Sequence, residues 1–94
     1  MQRETGMVEW KIVYTRQVQK DARKIAAAGL RAKAEKLIEI LSQNPYQAPP
    51  PCEKLVGDLA GAYSRRISIQ HRLVYQVLED IRTVKVIRMW THYE

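Results

Sequence analysis

Residues 45–52 read PYQAPPPC, a stretch no helix can cross, because each proline lacks an amide donor and its ring clashes with the preceding turn. The chain has a different hydrophobic period on each side of it, and this division limits the fold more than any other feature. Ahead of it, Val18, Ala22, Ile25 and Ala26 recur at helical spacing, with Thr15 placed to cap the helix. Gly29 stands where a left-handed C-terminal cap is preferred. Leu30, Ala34, Leu37, Ile38 and Leu41 mark a second helix, with Arg31, Lys33, Lys36 and Glu39 on its other face and Asn44-Pro45 ending it. The turn between the helices is so short that they pack as an antiparallel hairpin. Residues 8–14 (VEWKIVY) form a β-rich first strand. Beyond the prolines, residues 55–59 read as a short edge strand or a turn, and residues 63–69, 72–78 and 83–90 as three strands with short links. The expected class is α+β: an N-terminal strand, a two-helix antiparallel hairpin, then a three-stranded antiparallel meander in a twisted sheet. The hairpin covers one face of that sheet and leaves the other open to a ligand.

A chain of 94 residues has room for one domain, expected over residues 7–94, with residues 1–6 as an extension ahead of a second possible start at Met7. With 46% hydrophobic and 28% charged residues, the composition is that of a globular chain and not of a disordered one. No apolar run approaches the roughly 20 residues that span a bilayer. No apolar segment follows the polar start to make a signal peptide, so the expectation is a cytoplasmic protein without a membrane partner. Cys52 is the only cysteine, which excludes an internal disulfide and a cysteine-based metal site. Gly57 and Gly61 lack the rest of any phosphate-binding glycine pattern, and no cofactor or metal is expected. The net charge of +6 suggests an anionic partner, either nucleic acid or an acidic protein.

Arg65, Arg66, Arg72, Arg82, Lys85 and Arg88 are spread over the three meander strands. Side chains alternate along a strand, so Arg66 points away from Arg65, and neighbouring strands can gather several guanidiniums on one face. Arginine's planar fork suits phosphate, although single arginines on strands also serve as solvated edge protection. Glu53 opens the second half, where a carboxylate near arginines is either an ordinary surface ion pair or a general base. His92 and Tyr93 directly follow the last strand and can move protons, whereas His71 lies in a turn and competes with His92 as the chemical histidine. Spacing alone does not choose between these two histidines.

Gly61-Ala62-Tyr63-Ser64-Arg65-Arg66-Ile67-Ser68, continued by His71-Arg72-Leu73-Val74-Tyr75-Gln76-Val77, resembles the YoeB/Txe branch of the RelE/ParE toxin superfamily. In that branch a glycine and two residues, usually aromatic, precede Ser-Arg-Arg-Ile and then His-Arg-Leu-Val-Tyr. Glu53 stands at the branch's spacing before this block, and His92-Tyr93 match its ending. The close resemblance covers residues 53–78 and the tail, while the RelE-like layout extends over nearly the whole chain from Met7.

The resemblance implies the toxin of a type II toxin–antitoxin system. Such a toxin is a ribosome-dependent endoribonuclease that cuts mRNA in the A site by metal-free attack of the RNA 2′-hydroxyl. Under it, Glu53 is the general base, His92 the general acid, Arg72 the cation on the transition state, and Tyr93 the group orienting phosphate or base. Arg66 supports substrate binding, and Arg65 joins it as a substrate-binding candidate. The implied partners are mRNA on the ribosome, an acidic antitoxin of the YefM/Phd type, and a second copy in a homodimer. His71 then becomes a turn residue that fixes strand geometry. Departures are Ala62 at a usually aromatic position, Glu94 beyond the His-Tyr ending, and residues 1–6, which have no counterpart. A carboxylate at Glu94 would favour the protonated form of His92. Three other readings use the same chain: a ParE-like toxin directed at DNA gyrase, an inactive basic module that binds RNA or an acidic protein, and a general RNase that needs no ribosome. His92-Tyr93 argues against the first, since ParE-like chains generally lack that arrangement.

Overall fold

The computed structural model describes residues 9–55 and 61–89. Strand β1 (Lys11–Tyr14) leads into helices α1 (Arg16–Ala27) and α2 (Arg31–Gln43). After the proline-rich connector come β2 (Glu53–Lys54), β3 (Ala62–Arg66), β4 (Arg72–Leu78), a 3₁₀ turn (Glu79–Ile81) and β5 (Thr83–Arg88). The five strands form one mixed sheet in the order β1-β5-β4-β3-β2. β1 runs parallel to β5, and the other pairs are antiparallel.

The α+β class and the helix hairpin are as expected, and so is the three-stranded meander, here β3 to β5. The sheet differs in one strand. Its far edge is Glu53–Lys54, just ahead of the expected run, of which residues 56–59 lie outside the described residues. A two-residue strand carries no periodicity of its own and exists only because Glu53 and Lys54 pair with Ser64 and Tyr63. The run expected over 63–69 stops at Arg66, because the amides of Ile67 and Ser68 both donate to the His71 carbonyl and close a turn.

Helix α1 begins at Thr15, whose Oγ accepts from the Val18 amide at 3.1 Å and donates to the Ile87 carbonyl at 3.0 Å. One hydroxyl therefore caps the helix and ties it to β5. Gly29 takes φ +77° in the turn, as its cap position requires. The core lies between the hairpin and one sheet face, with Val18, Ile25, Leu37 and Leu41 packed against Leu73, Tyr75, Val84 and Val86. The inward face of α1 also holds Asp21, fully buried, where apolar spacing pointed instead to Ala22 and Ala26, both exposed. Asp21 Oδ2 accepts from Arg88 Nε at 2.9 Å and from the Met89 amide at 3.1 Å. Gln17 donates to its Oδ1 at 3.0 Å. The carboxylate thus anchors the end of β5 to α1.

The connector is held by a second buried charge. Arg65, 1% exposed, donates through Nη1 to the Pro50 carbonyl at 2.8 Å and through Nη2 to the Pro45 carbonyl at 3.1 Å. Its Nε donates to the Tyr75 hydroxyl at 3.1 Å, which itself donates to Pro45 O at 2.7 Å. Burial, then the contact with Cys52, pushes the Tyr75 phenol well above its ordinary range, so it stays a neutral relay. Tyr46 adds an aromatic brace, edge-on to both Trp10 and Tyr63, with Tyr63 stacked on Tyr75.

Two stability predictions follow from these anchors. Asp21→Ala strands a buried amide and removes charged hydrogen bonds, so urea unfolding should show a loss of about 2–3 kcal/mol. A loss under 0.5 kcal/mol would contradict the anchoring role. Lysine cannot reproduce a three-way fork, so Arg65→Lys should lose roughly 2 kcal/mol. The same exchange at exposed Arg66 should stay within about 0.5 kcal/mol. Equal losses at the two positions would refute the distinction between them.

Candidate phosphate site on the sheet

Directly paired residues on adjacent strands share a face, so the register decides which side chains can meet. Glu53 pairs with Ser64, Ser64 with Val74, and Arg66 with Arg72. These residues share one face of the sheet, while Tyr63, Arg65 and Ile67 alternate onto the core side. Arg72 Nη1 donates to Glu53 Oε1 at 2.6 Å and to Ser64 Oγ at 3.3 Å. The Arg72 side chain is 23% exposed and that of Glu53 67%, so the carboxylate faces solvent while the guanidinium is partly sunk in the sheet. A pair this exposed on one side is worth at most about 1 kcal/mol to stability.

Arg66 is exposed and stands directly across from Arg72. Like charges opposed on neighbouring strands repel, and an anion seated between them would relieve the repulsion. Glu53 and Ser64 thus both accept from the Arg72 guanidinium, and Arg66 stands across the strand pair from it. The set can bind a phosphodiester and offers a base beside it.

Of the residues expected at a site, Glu53, Arg66 and Arg72 come together. Arg65 does not. Its fork is spent on two carbonyls and a phenol in the interior, which corrects the expectation that it contacts substrate. A signal existed: Arg65 shares its alternation with Tyr63 and Ile67, both large and apolar, so its face is the core face. Two other cations of the meander also have structural uses. Arg88 is drawn to Asp21, and Arg82 lies over the Trp10 ring at 4.8 Å from its centroid. Lys85 is exposed on β5. His71 is 5% exposed in the β3–β4 turn, its amide donating to Ser68 Oγ, and so serves as the turn residue expected. His92, Tyr93 and Glu94 lie outside the described residues, as does the extension at residues 1–6. Ser64 was missed, although its position two residues before Arg66 puts it on the same face by strand period alone.

A family profile described as YoeB-like toxin of bacterial type II toxin-antitoxin system matches residues 14–93. Toxin YoeB of Streptomyces coelicolor is 40% identical over 48 residues, which cover 51% of this chain and 57% of that protein. The match thus spans little more than half the length of that relative. The YoeB/ParE toxin from Agrobacterium tumefaciens superposes with a TM-score of 0.79 at 33% identity, covering 88% of this chain and 99% of that one. YoeB of Staphylococcus aureus has been solved in a YoeB-YefM complex and as a dimer. It superposes with TM-scores of 0.75 and 0.76 at 28% identity, covering 92% of this chain and 100% of that one. With the profile matching most of its length and the RelE-type fold shared, the chain belongs to the YoeB-like toxins of bacterial type II toxin-antitoxin systems.

Proposed function

We propose that this toxin is a ribosome-dependent endoribonuclease that cleaves mRNA in the A site and so stops translation. The observation that carries the reading is the Glu53–Arg72 contact of 2.6 Å with Arg66 directly across the strand pair. Glu53 takes the proton of the RNA 2′-hydroxyl as that oxygen attacks the adjacent phosphorus. Arg72 holds the negative charge that builds on the phosphoryl oxygens, with its Nη1 steadied by Ser64. The bond from phosphorus to the 5′-oxygen breaks, and His92 protonates the leaving oxygen. The products are a 2′,3′-cyclic phosphate and a 5′-hydroxyl. Tyr93 orients the phosphate or base, and Arg66 supports binding. The roles of His92 and Tyr93 are carried over from the family ending.

One carboxylate oxygen accepts from Arg72, and a carboxylate has a second oxygen to receive a proton. When RNA enters, its phosphate competes with Glu53 for the guanidinium, which turns a resting ion pair into a base and a cation on opposite sides of the reaction. An acidic antitoxin of the YefM type suits the net charge of +6 and would hold the toxin inactive in the cytoplasm. A homodimer is proposed by analogy with the Staphylococcus aureus relative. Among the described residues no helix is long and apolar enough to cross a membrane.

Cleavage of mRNA on programmed ribosomes, mapped by primer extension, tests this reading. Wild type should cut only ribosome-bound message. Arg72→Ala should slow the step by roughly 10²–10³, the usual effect of removing one transition-state donor. Glu53→Gln and His92→Gln should lose cleavage to a similar degree while the variants stay folded. Full activity in Glu53→Gln would remove the base from the scheme. A folded wild type that leaves ribosome-bound mRNA intact would sink the reading, and a DNA gyrase supercoiling assay would then examine the ParE-like alternative.

A further inference from the structure

Beyond the Arg66 end of β3, a cleft of about 350 Å³ lies between that strand and helix α2. Lys33, Lys36 and Arg66 line it, over a floor that includes Leu37, Ile40 and Pro50. The two lysines are three residues apart on α2, so their amines share one side of the helix. Among the described residues no carboxylate lines the cleft, and none of the three cations is held in an ion pair. Three cations gathered without an internal counter-charge make an anion site, and Arg66 joins it to Arg72 by one step across the strand pair.

We propose that this cleft binds the phosphodiester backbone of the substrate RNA on one side of the scissile phosphate. The inference rests on the proposed cleavage site, because continuity through Arg66 is what favours RNA over an acidic protein segment. In this arrangement Lys33 and Lys36 grip flanking phosphates without touching the reacting atoms. The apolar floor accepts the face of a ribose or a splayed base. Arg66 belongs to both sites and sets the direction in which the strand leaves Arg72.

The test is binding, which can be read separately from cleavage. A fluorescent RNA octamer with a single 2′-deoxy nucleotide at the cleavage position is titrated with full-length wild type and with the double variant Lys33→Glu/Lys36→Glu. Circular dichroism and thermal melting verify that the exposed substitutions leave the fold intact. The double variant should bind the octamer roughly tenfold more weakly, and its salt dependence should flatten by about 1.4 log units per log unit of salt, as expected for two lost single-strand phosphate contacts. A trinucleotide centred on the cleavage position, too short to reach the lysines, should bind both proteins alike. Equal octamer binding by the two proteins, or no binding by wild type even at low salt, would overturn the proposal. So would a double variant that keeps RNA affinity but loses a polyglutamate peptide, since the cleft would then serve an acidic protein partner. If wild type fails to cleave on ribosomes while the octamer difference persists, the cleft stands and the cleavage reading falls. Cleavage with no octamer difference gives the reverse.

Discussion

Arg65 places a full positive charge in the interior and divides it among the carbonyls of Pro45 and Pro50 and the hydroxyl of Tyr75. A buried guanidinium is tolerated only when its donors are satisfied, and here the acceptors come from a proline-rich segment that forms no helix. The contact works in both directions. It neutralises the cost of burying the arginine, and it fixes a connector that has few amides with which to fix itself. Glu53 begins three residues after Pro50, so the placement of the candidate base depends on a charge on the opposite side of the sheet.

The site itself is assembled where pairing is weakest. β2 has only two residues and lies at the sheet edge, where one side of the backbone lacks a neighbouring strand. The ion pair between Glu53 and Arg72 bridges from this edge to β4, skipping β3, while Ser64 of β3 supports the guanidinium in between. At rest the site is largely self-neutralised. Lys33 and Lys36 of the α2 cleft, held in no ion pair among the described residues, add positive charge beside Arg66.

At the other end of the sheet, Asp21 performs for β5 what Arg65 performs for the connector. It accepts the Met89 amide and the Arg88 guanidinium and so ties the end of β5 to α1. Both anchors are buried charges; Asp21 sits at a position that apolar patterning leaves out, whereas Arg65 falls on the core-facing alternation of β3.

Much of this was legible in the chain. The helices, the proline break and the meander follow from local periodicity and from the missing amide of proline, neither of which needs tertiary context. Glu53, Arg66 and Arg72 were legible as a set through the resemblance of residues 53–78, and the strand register brings those three together. Strand β2 was not legible, because two residues have no period and take their conformation from β3. Arg65 and Arg66 mark the boundary most clearly. The sequence by itself determined that these adjacent arginines face opposite ways, since strand side chains alternate. Only the tertiary structure decided that Arg65 would find acceptors 15 and 20 residues back in the chain while Arg66 stayed exposed. Whether a charge can be buried depends on partners distant in sequence, and local chemistry carries no record of them.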